Sequence, residues 1–328
     1  MANCHEIAVS GRIRLARNYH DLPFHNQDNA AVCLKRAYDA LHNYTEDFYT
    51  LHLLSNMERD EQVCLKEEHL ISNDLLKKPK TGAVLIRKDR QVSIMVNEED
   101  HLRIQAIEAG GGLEHAAQEA FRAEEILEKV CGFSFDPQFG YLTSCPTNTG
   151  TGMRASLMLH LPMLTRHKQM GNVGQNVAKL GLTIRGIYGE GSEALGDLYQ
   201  VSNQVSLGRS EEDILQAVTA VGKQLIDMES GLRERSMKRA PAELKDTVMR
   251  SYGLLRYAIT MEEKEFMQHW SNLRLGIALG MVPTPLSTSD ELLTTAQNAH
   301  VRHFAARREI GSVREARCEW IRECLNRA

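Results

Sequence analysis

The chain has 328 residues, 42% hydrophobic and 25% charged, a globular balance that can bury a large core without disulfide or metal staples. Its 39 Lys and Arg against 43 Asp and Glu leave a formal charge of −4, so no global basic field argues for nucleic acid. No apolar run approaches the ~18–20 residues of a membrane span, and the N-terminus lacks the apolar stretch of a secretory signal, so no membrane role is expected.

The first element in chain order is an extended segment at residues 10–14 (SGRIR). Residues 29–54 have mixed helical periodicity. AVLIR at 83–87 and VSIMV at 92–96 are β-rich runs joined by a polar KDRQ, which predicts a hairpin. Alternation resumes in HLRIQAI at 101–107, a third strand. After three glycines at 110–112, residues 113–130 carry apolar positions at helical spacing. The loop TSCPTNTGTG (143–152) leads into a strand at 154–161. Residues 162–180 predict a helix, and LTIRGIY (182–188) and LYQVSN (198–203) predict strands. Ser210 and Asp213 form an S-x-x-D cap ahead of an amphipathic helix reaching about Met228. Hairpins mixed with helices favour an antiparallel sheet over βαβ winding. Beyond 230 the β-rich runs stop and proline-punctuated helices follow. The expected fold class is α+β, an antiparallel β-sheet flanked by helices over 1–230, followed by an all-helical C-terminal domain over 231–328.

The seven cysteines are odd in number, irregularly spaced and without a C-x-x-C pair, which predicts free thiols in a reducing cytoplasm. Two glycine patterns imitate a dinucleotide fingerprint, at Gly150-x-Gly152-x-x-Ala155 and Gly189-x-Gly191-x-x-Ala194. Neither opens a helix, which a Rossmann site requires. There is no P-loop and no Cys/His zinc quartet, and no metal ligand is assigned.

Other segments concentrate charge on strands beside glycine-rich loops. NEEDHLRI (97–104) packs three acids and an arginine into a strand–turn–strand junction. Arg12 and Arg14, two residues apart, share one face of an extended segment. Arg154 follows the CPTNTGTG loop, and Arg185 and Glu190 flank a Gly-Ile-Tyr-Gly turn. With Arg103 these five arginines predict a cradle for a polyanion, because guanidinium groups bond phosphate oxygens in pairs.

NEEDHLRI, CPTNTGTGMRAS and RGIYGEGSEALGDLYQVSNQVSLGRSEEDI resemble the guanidino (phosphagen) kinase family, the ATP:guanido phosphotransferases, over residues 10–214. The S-x-R-x-R segment starts at Ser10, without the helical region of about a hundred residues that precedes it in small-molecule guanidino kinases. With the helical region that follows instead, this resembles the bacterial protein-arginine kinase (McsB-type) branch. The resemblance implies transfer of the ATP γ-phosphate to arginine side chains of proteins, with Mg2+. It implies Glu99 and Glu190 as catalytic carboxylates. It implies nucleotide contacts from Ser10, Gly11, Arg12, Ile13 and Arg14, from His69 and Arg103, from Arg154, Ala155, Ser156, Leu157 and Met158, and from Arg185, Gly186, Ile187, Tyr188, Gly189 and Glu190. Cys145 falls at the family's reactive-cysteine position. Gly11 replaces a common serine, and Met158 and Asp74 fall at or near positions where relatives have histidine. The resemblance further implies a homodimer, a zinc-binding activator protein, a Clp-type ATPase partner, a role in stress response and protein quality control, and phosphoarginine docking at Arg314, Glu315 and Arg317. A kinase for free arginine and a non-catalytic phosphoarginine reader are the alternatives.

Overall fold

A computed structural model describes residues 4–24, 29–43, 48–186 and 194–327. The elements are α1 (Cys4–Ile7), β1 (Ala8–Arg17), α2 (Ala30–His42), β2 (Tyr49–Leu53), α3 (Arg59–Glu67), α4 (Asn73–Leu76), β3 (Ala83–Arg87), β4 (Val92–Val96), β5 (Leu102–Ala109) and α5 (Leu113–Cys131). They continue with β6 (Phe135–Asp136), β7 (Gly140–Tyr141), β8 (Met153–His160), α6 (Pro162–Arg166), α7 (Met170–Lys179), β9 (Leu182–Gly186), β10 (Leu198–Asn203) and α8 (Glu211–Arg239). The C-terminal helices are α9 (Pro241–Tyr257), α10 (Glu263–Ala278), α11 (Leu286–Thr295), α12 (Asn298–Arg308) and α13 (Val313–Arg327).

Among the described residues eight strands form one sheet in the order β2-β3-β4-β5-β1-β8-β10-β9. Every pairing in it is antiparallel. β1 lies inside it, opposite β5 on one side and β8 on the other. Successive residues of a strand face opposite ways. On one face β1, β5 and β8 present Ile13, Leu15, Ile104, Ala106, Ala155 and Leu157, all buried. α5 and α8 cover that face. The buried stripe of α5 is mostly alanine (Ala116, Ala117, Ala120, Ala123), which lets the helix lie close to the strands. Gly11 also belongs to this face. A Cβ there would come 3.1 Å from the backbone nitrogen of Leu113, so glycine admits the start of α5.

The opposite face is polar at its centre. α3 and α4 cover its β3–β4 end through Leu65, Leu70, Leu75, Val84, Ile86 and Met95. The helices α9, α10, α11 and α13 pack around Phe266, Trp270, Leu273, Leu292 and Ile321, Leu198 of β10 joins this second core, and α12 packs on α13 through Val301, Phe304 and Ala316.

The predicted strands and the helix at 113–130 form, and the Ser210–Asp213 capping box is complete. Three segments differ from expectation. Residues 49–53 are the edge strand β2, whose side chains are mostly half-buried and give no clear alternation. Residues 162–180 divide into α6 and α7, with Lys168 at φ 55° between them. α8 runs past 228 and through 230 to Arg239, and Pro241 opens the next helix. Among the described residues no helix is long and apolar enough to cross a membrane.

Candidate active site

The polar face carries the predicted arginines because of register. Arg14 of β1 pairs with Gln105 of β5 and Arg154 of β8, and Ala16 pairs with Arg103. Arg12 pairs with Ile107 and with Ser156. Met158 of β8 pairs with Gln200 of β10, and Gln200 with Arg185 of β9. Partners in register share a face. Segments more than 170 residues apart therefore bring Arg12, Arg14, Arg103, Arg154 and Arg185 onto one surface.

Three of these cations, Arg12, Arg14 and Arg154, are under-compensated. Arg14 and Arg154 each keep a buried Nε with no hydrogen-bond partner. Arg154 Nη2 donates to Ser202 Oγ at 3.0 Å, a neutral acceptor. Burial, then repulsion from Arg154 and Arg103, pulls Arg12 down to about 10. Burial and the neighbouring guanidinium groups push Arg14 well below the usual arginine range. Arg154 is lowered by burial, Arg185 and Arg103. Buried positive charge without a partner costs stability, and a bound anion offsets that cost. The face is thus preorganised for a polyanion.

The acidic turn supplies the other pole. Glu98 is fully buried and Glu99 is 36% exposed at its side chain. Arg103 Nη1 donates to Glu98 Oε1 at 2.6 Å, and Arg103 Nη2 to Glu99 Oε2 at 3.1 Å. Glu98 also accepts from Ser72 Oγ, and from the backbone N–H of Glu99 at 2.8 Å. Asn148 Nδ2 donates to Glu99 Oε2 at 3.4 Å. The turn is fixed from outside. Asn97, at φ 61°, donates its side-chain amide to the carbonyls of Ala30 and Thr81. Asp100 accepts from Asn18 Nδ2 and from the Ser144 backbone N–H, both at 2.7 Å, which ties the CPTN loop to the acidic turn.

Two adjoining hollows open on this face. One of about 260 Å³ is lined by Arg14, Asp74, Glu99, Arg103, Asn148 and Arg154, with Cys145 also on its wall. Another, of about 100 Å³, is lined by Ser10, Arg12, His69, Ser156, Met158 and Gln200. Burial, then Arg12, Lys66 and Arg14, pulls His69 down to about 4, so it is neutral at physiological pH. Larger surface clefts beside β2 and beside α9 contain none of these residues.

The structure does not bring every expected residue here. Gly11, Ile13, Ala155 and Leu157 face the apolar core, and their side chains do not reach the cleft. Gly186 ends β9, and Ile187, Tyr188, Gly189 and Glu190 lie outside the described residues. Far from the cleft, Arg314 is exposed and paired with Glu262, and Glu315 is exposed. Arg317 is buried instead of presented for docking. Its Nε donates to the Ala296 carbonyl at 2.9 Å, Nη1 to the Met261 carbonyl at 2.7 Å, and Nη2 to Asn298 Oδ1. Asn148, Gln200 and Ser202 were not among the expected residues. Strand alternation from Arg154 and Arg185 is the signal that points to the latter two.

Comparison with known proteins decides the family. The profile "ATP:guanido phosphotransferase, C-terminal catalytic domain" matches residues 33–232, and "Protein-arginine kinase McsB C-terminal domain" matches residues 241–328. The chain belongs to the ATP:guanido phosphotransferases, in their protein-arginine kinase branch. Within that branch it is 43% identical to the protein-arginine kinase of Caldanaerobacter subterraneus subsp. tengcongensis, over 90% of each chain. It is 44% identical to that of Brevibacillus brevis, over 98% of this chain and 92% of the relative. Among solved ATP:guanido phosphotransferases, a lombricine kinase superposes with TM-score 0.63 at 26% identity, over 70% of this chain and 68% of that one. The duplicated taurocyamine kinase of Schistosoma mansoni, with bound transition-state-analogue components, gives TM-score 0.63 at 26% identity, over 74% of this chain and 37% of that one.

Proposed function

We propose that this chain is an ATP-dependent protein-arginine kinase whose chemistry occurs where the arginine face meets Glu99. The observation that carries this reading is the set of under-compensated guanidinium groups on one sheet face, with a cleft-lining carboxylate at its edge. Arg12, Arg14, Arg103, Arg154 and Arg185 hold the triphosphate, and His69, Ser10, Ser156 and Met158 form the wall nearest Arg12. Developing charge on the transferred phosphoryl group then meets fixed cations, which need no reorganisation.

The acceptor guanidinium is protonated and a poor nucleophile. Glu99 orients it and takes a proton as nitrogen attacks the γ-phosphorus, and Glu190 is the second carboxylate. The P–O bond to ADP breaks as the P–N bond forms, and in-line transfer needs no covalent enzyme intermediate. Mg2+ fits as a companion of the phosphates: Asp74 and Glu99, the carboxylates lining the cleft, would meet its water ligands while it neutralises phosphate charge. Cys145, its Sγ 3.0 Å from Thr147 Oγ1, sits where oxidation alters acceptor access and is not a nucleophile.

The proposal extends to organisation. Residues 1–230 form the catalytic part, and 231–328 form a docking and oligomerisation part that supports a homodimer. The product marks proteins in a stress response and quality-control route served by a Clp-type ATPase, with a zinc-binding activator protein. The cytoplasm is the proposed compartment, a reading supported by free thiols at Cys33, Cys64, Cys145, Cys318 and Cys324.

The test is transfer from γ-labelled ATP with Mg2+, offering a denatured protein and free L-arginine in parallel. Acid-labile label on protein arginines is expected. Label on free arginine alone would overturn the protein-kinase reading in favour of a small-guanidino kinase. Phosphoarginine binding without any transfer, even with the activator present, would favour a reader.

A further inference from the structure

The last turn of α3 and the start of α12 are joined by a dense set of polar contacts that the proposed chemistry does not use. Glu67, buried on α3, accepts from the backbone N–H groups of Ala299 at 2.9 Å and His300 at 3.1 Å. Its carboxylate thereby satisfies donors at the N-terminus of α12, whose preceding residue Gln297 supplies no side-chain cap. The same carboxylate pairs with His300 Nδ1 at 2.7 Å, and Glu68 pairs with His300 Nε2 at 3.3 Å. One imidazole therefore bridges two consecutive glutamates, with both ring nitrogens engaged. At the other end of α3, Arg302 grips Asp60 through two bonds of 2.9 and 2.7 Å. Cys64 Sγ lies in the same cluster as Glu67 and His300. Both Glu67 oxygens already receive donors, so the cluster is complete as an ion-pair clamp.

The residue after Glu68 is His69, which lines the hollow beside Arg12. His69 has φ 61°, a left-handed backbone that reverses the chain as α3 ends. Its N–H donates to the Lys66 carbonyl at 2.9 Å, and its own carbonyl accepts from Gln105 Nε2 at 2.7 Å, on the arginine face. Backbone strain of this kind persists only when neighbouring contacts hold it. On one side the holding contact is Gln105. On the other it is the pair of glutamates clamped by His300.

We infer that His300, on the C-terminal helical part, is a positioning residue for nucleotide binding. By bridging Glu67 and Glu68 it sets the turn that places His69 beside Arg12. Any event that moves α12 then changes nucleotide affinity through this turn. The inference rests on the reading of the His69–Arg12 hollow as part of the nucleotide site.

The experiment is a double-mutant cycle on the full chain, with His300→Ala, His69→Ala and the double variant. KM for ATP, KM for a protein acceptor, kcat and thermal midpoint are measured for each. Both single variants should raise KM for ATP by about 5- to 20-fold, leave KM for the acceptor and kcat within about twofold, and the double variant should be no worse than the larger single effect. His300→Gln, whose amide NH2 can still donate to a glutamate, should recover part of the loss. Arg302→Gln serves as the stability control, because it opens the same helix pair about 10 Å further along α3. It should lower the thermal midpoint without changing KM for ATP. If His69→Ala raises KM while His300→Ala leaves it unchanged or acts additively, the inference fails and the nucleotide reading stands. A rise in KM for Arg302→Gln equal to that for His300→Ala would also overturn it, by showing a general effect of loosening. No change for His69→Ala would remove that hollow from the nucleotide site and the inference with it.

Discussion

Adjacent glutamates in the acidic turn should behave in opposite ways. Glu98→Gln removes a charge from a carboxylate that is fully buried and 2.6 Å from Arg103. Removing one partner of a buried pair costs about 3–5 kcal/mol. The cost here is smaller, about 2 kcal/mol, because Gln retains hydrogen-bonding capacity and Arg103 keeps Glu99 as a second partner at 3.1 Å. For a chain of 328 residues that lowers the thermal midpoint by roughly 3 °C. Glu99→Gln acts on a side chain 36% exposed, with a long contact of 3.4 Å from Asn148, so the midpoint should move by about 1 °C or less. Its effect falls on turnover instead, a loss of about 10²- to 10⁴-fold as expected for a general base, with KM for ATP within about threefold. The assays are calorimetry and initial-rate kinetics on the same preparations. Glu99→Gln retaining more than about a tenth of wild-type kcat would refute the assignment of the base. A Glu98→Gln protein that is as stable as wild type and inactive would show that the roles are exchanged.

Arg14→Met should stabilise the unliganded protein by about 1 kcal/mol, because it removes a partly buried charge with an unpartnered Nε, while nucleotide binding measured by titration calorimetry falls steeply. A destabilised variant that still binds nucleotide normally would contradict the strain argument. Arg317→Ala should cost about 2–4 kcal/mol in chemical denaturation by stranding the carbonyls of Ala296 and Met261, and phosphoarginine binding by a folded Arg317→Lys protein should be unchanged. The clamp has a pH signature. Against burial, the hydrogen bonds that His300 donates to Glu67 and Glu68 raise it to about 9, so its contribution is complete below about pH 6.5 and is lost as pH rises through 9. Facing it are Cys64, Asp60 and Glu67 of α3, Glu68 just after it, Arg302 of α12 and, through Glu68, Arg90, while Cys64 is pushed up to about 12 by burial and the nearby carboxylates. After allowance for solvent screening the loss is on the order of 1–2 kcal/mol, and a stability profile of His300→Ala parallel to wild type between pH 7 and 10 would refute it.

The fold was legible where local pattern and burial agree. The β3–β4 hairpin and the α5 stripe could be read because one element packs one face against one core. β2 was missed because an edge strand packs on one side only, and mostly half-buried positions leave no alternation to read. α8 outran its expected end because its C-terminal half is held by tertiary contacts, Glu229 accepting from the N–H groups of Met163 and Leu164 and Arg233 donating to the His160 carbonyl, which no local pattern encodes. At the site, residue types pointed to a polyanion cradle, but taking nucleotide contacts as whole segments drew in Ile13, Ala155 and Leu157. Strand alternation turns the side chains of these three to the apolar core and those of Arg12, Arg14, Arg154 and Ser156 to the opposite face. Arg317, expected at a docking surface, is instead buried under three acceptors that lie 19 to 56 residues away in the chain, which no local pattern encodes.

The same electrostatics impose an order on the reaction. The acceptor is a cation, and it must come within reach of Glu99 beside Arg14, Arg103 and Arg154. Both Glu98 and Glu99 are already engaged by Arg103, so without nucleotide the cleft repels a guanidinium group. Like charges within such a cleft interact through a lower effective dielectric than water, and the repulsion is correspondingly larger. A bound triphosphate reverses the sign: it neutralises the guanidinium groups of Arg12, Arg14 and Arg154, and leaves Glu99 as a carboxylate lining the cleft. Nucleotide should therefore bind first, and an arginine-containing peptide should bind at least tenfold more tightly in the presence of a non-hydrolysable ATP analogue than in its absence. By linkage the peptide should tighten the analogue by the same factor. Equal peptide affinity in both titrations would mean that the acceptor does not approach across the arginine face, and would move the proton-accepting carboxylate away from Glu99.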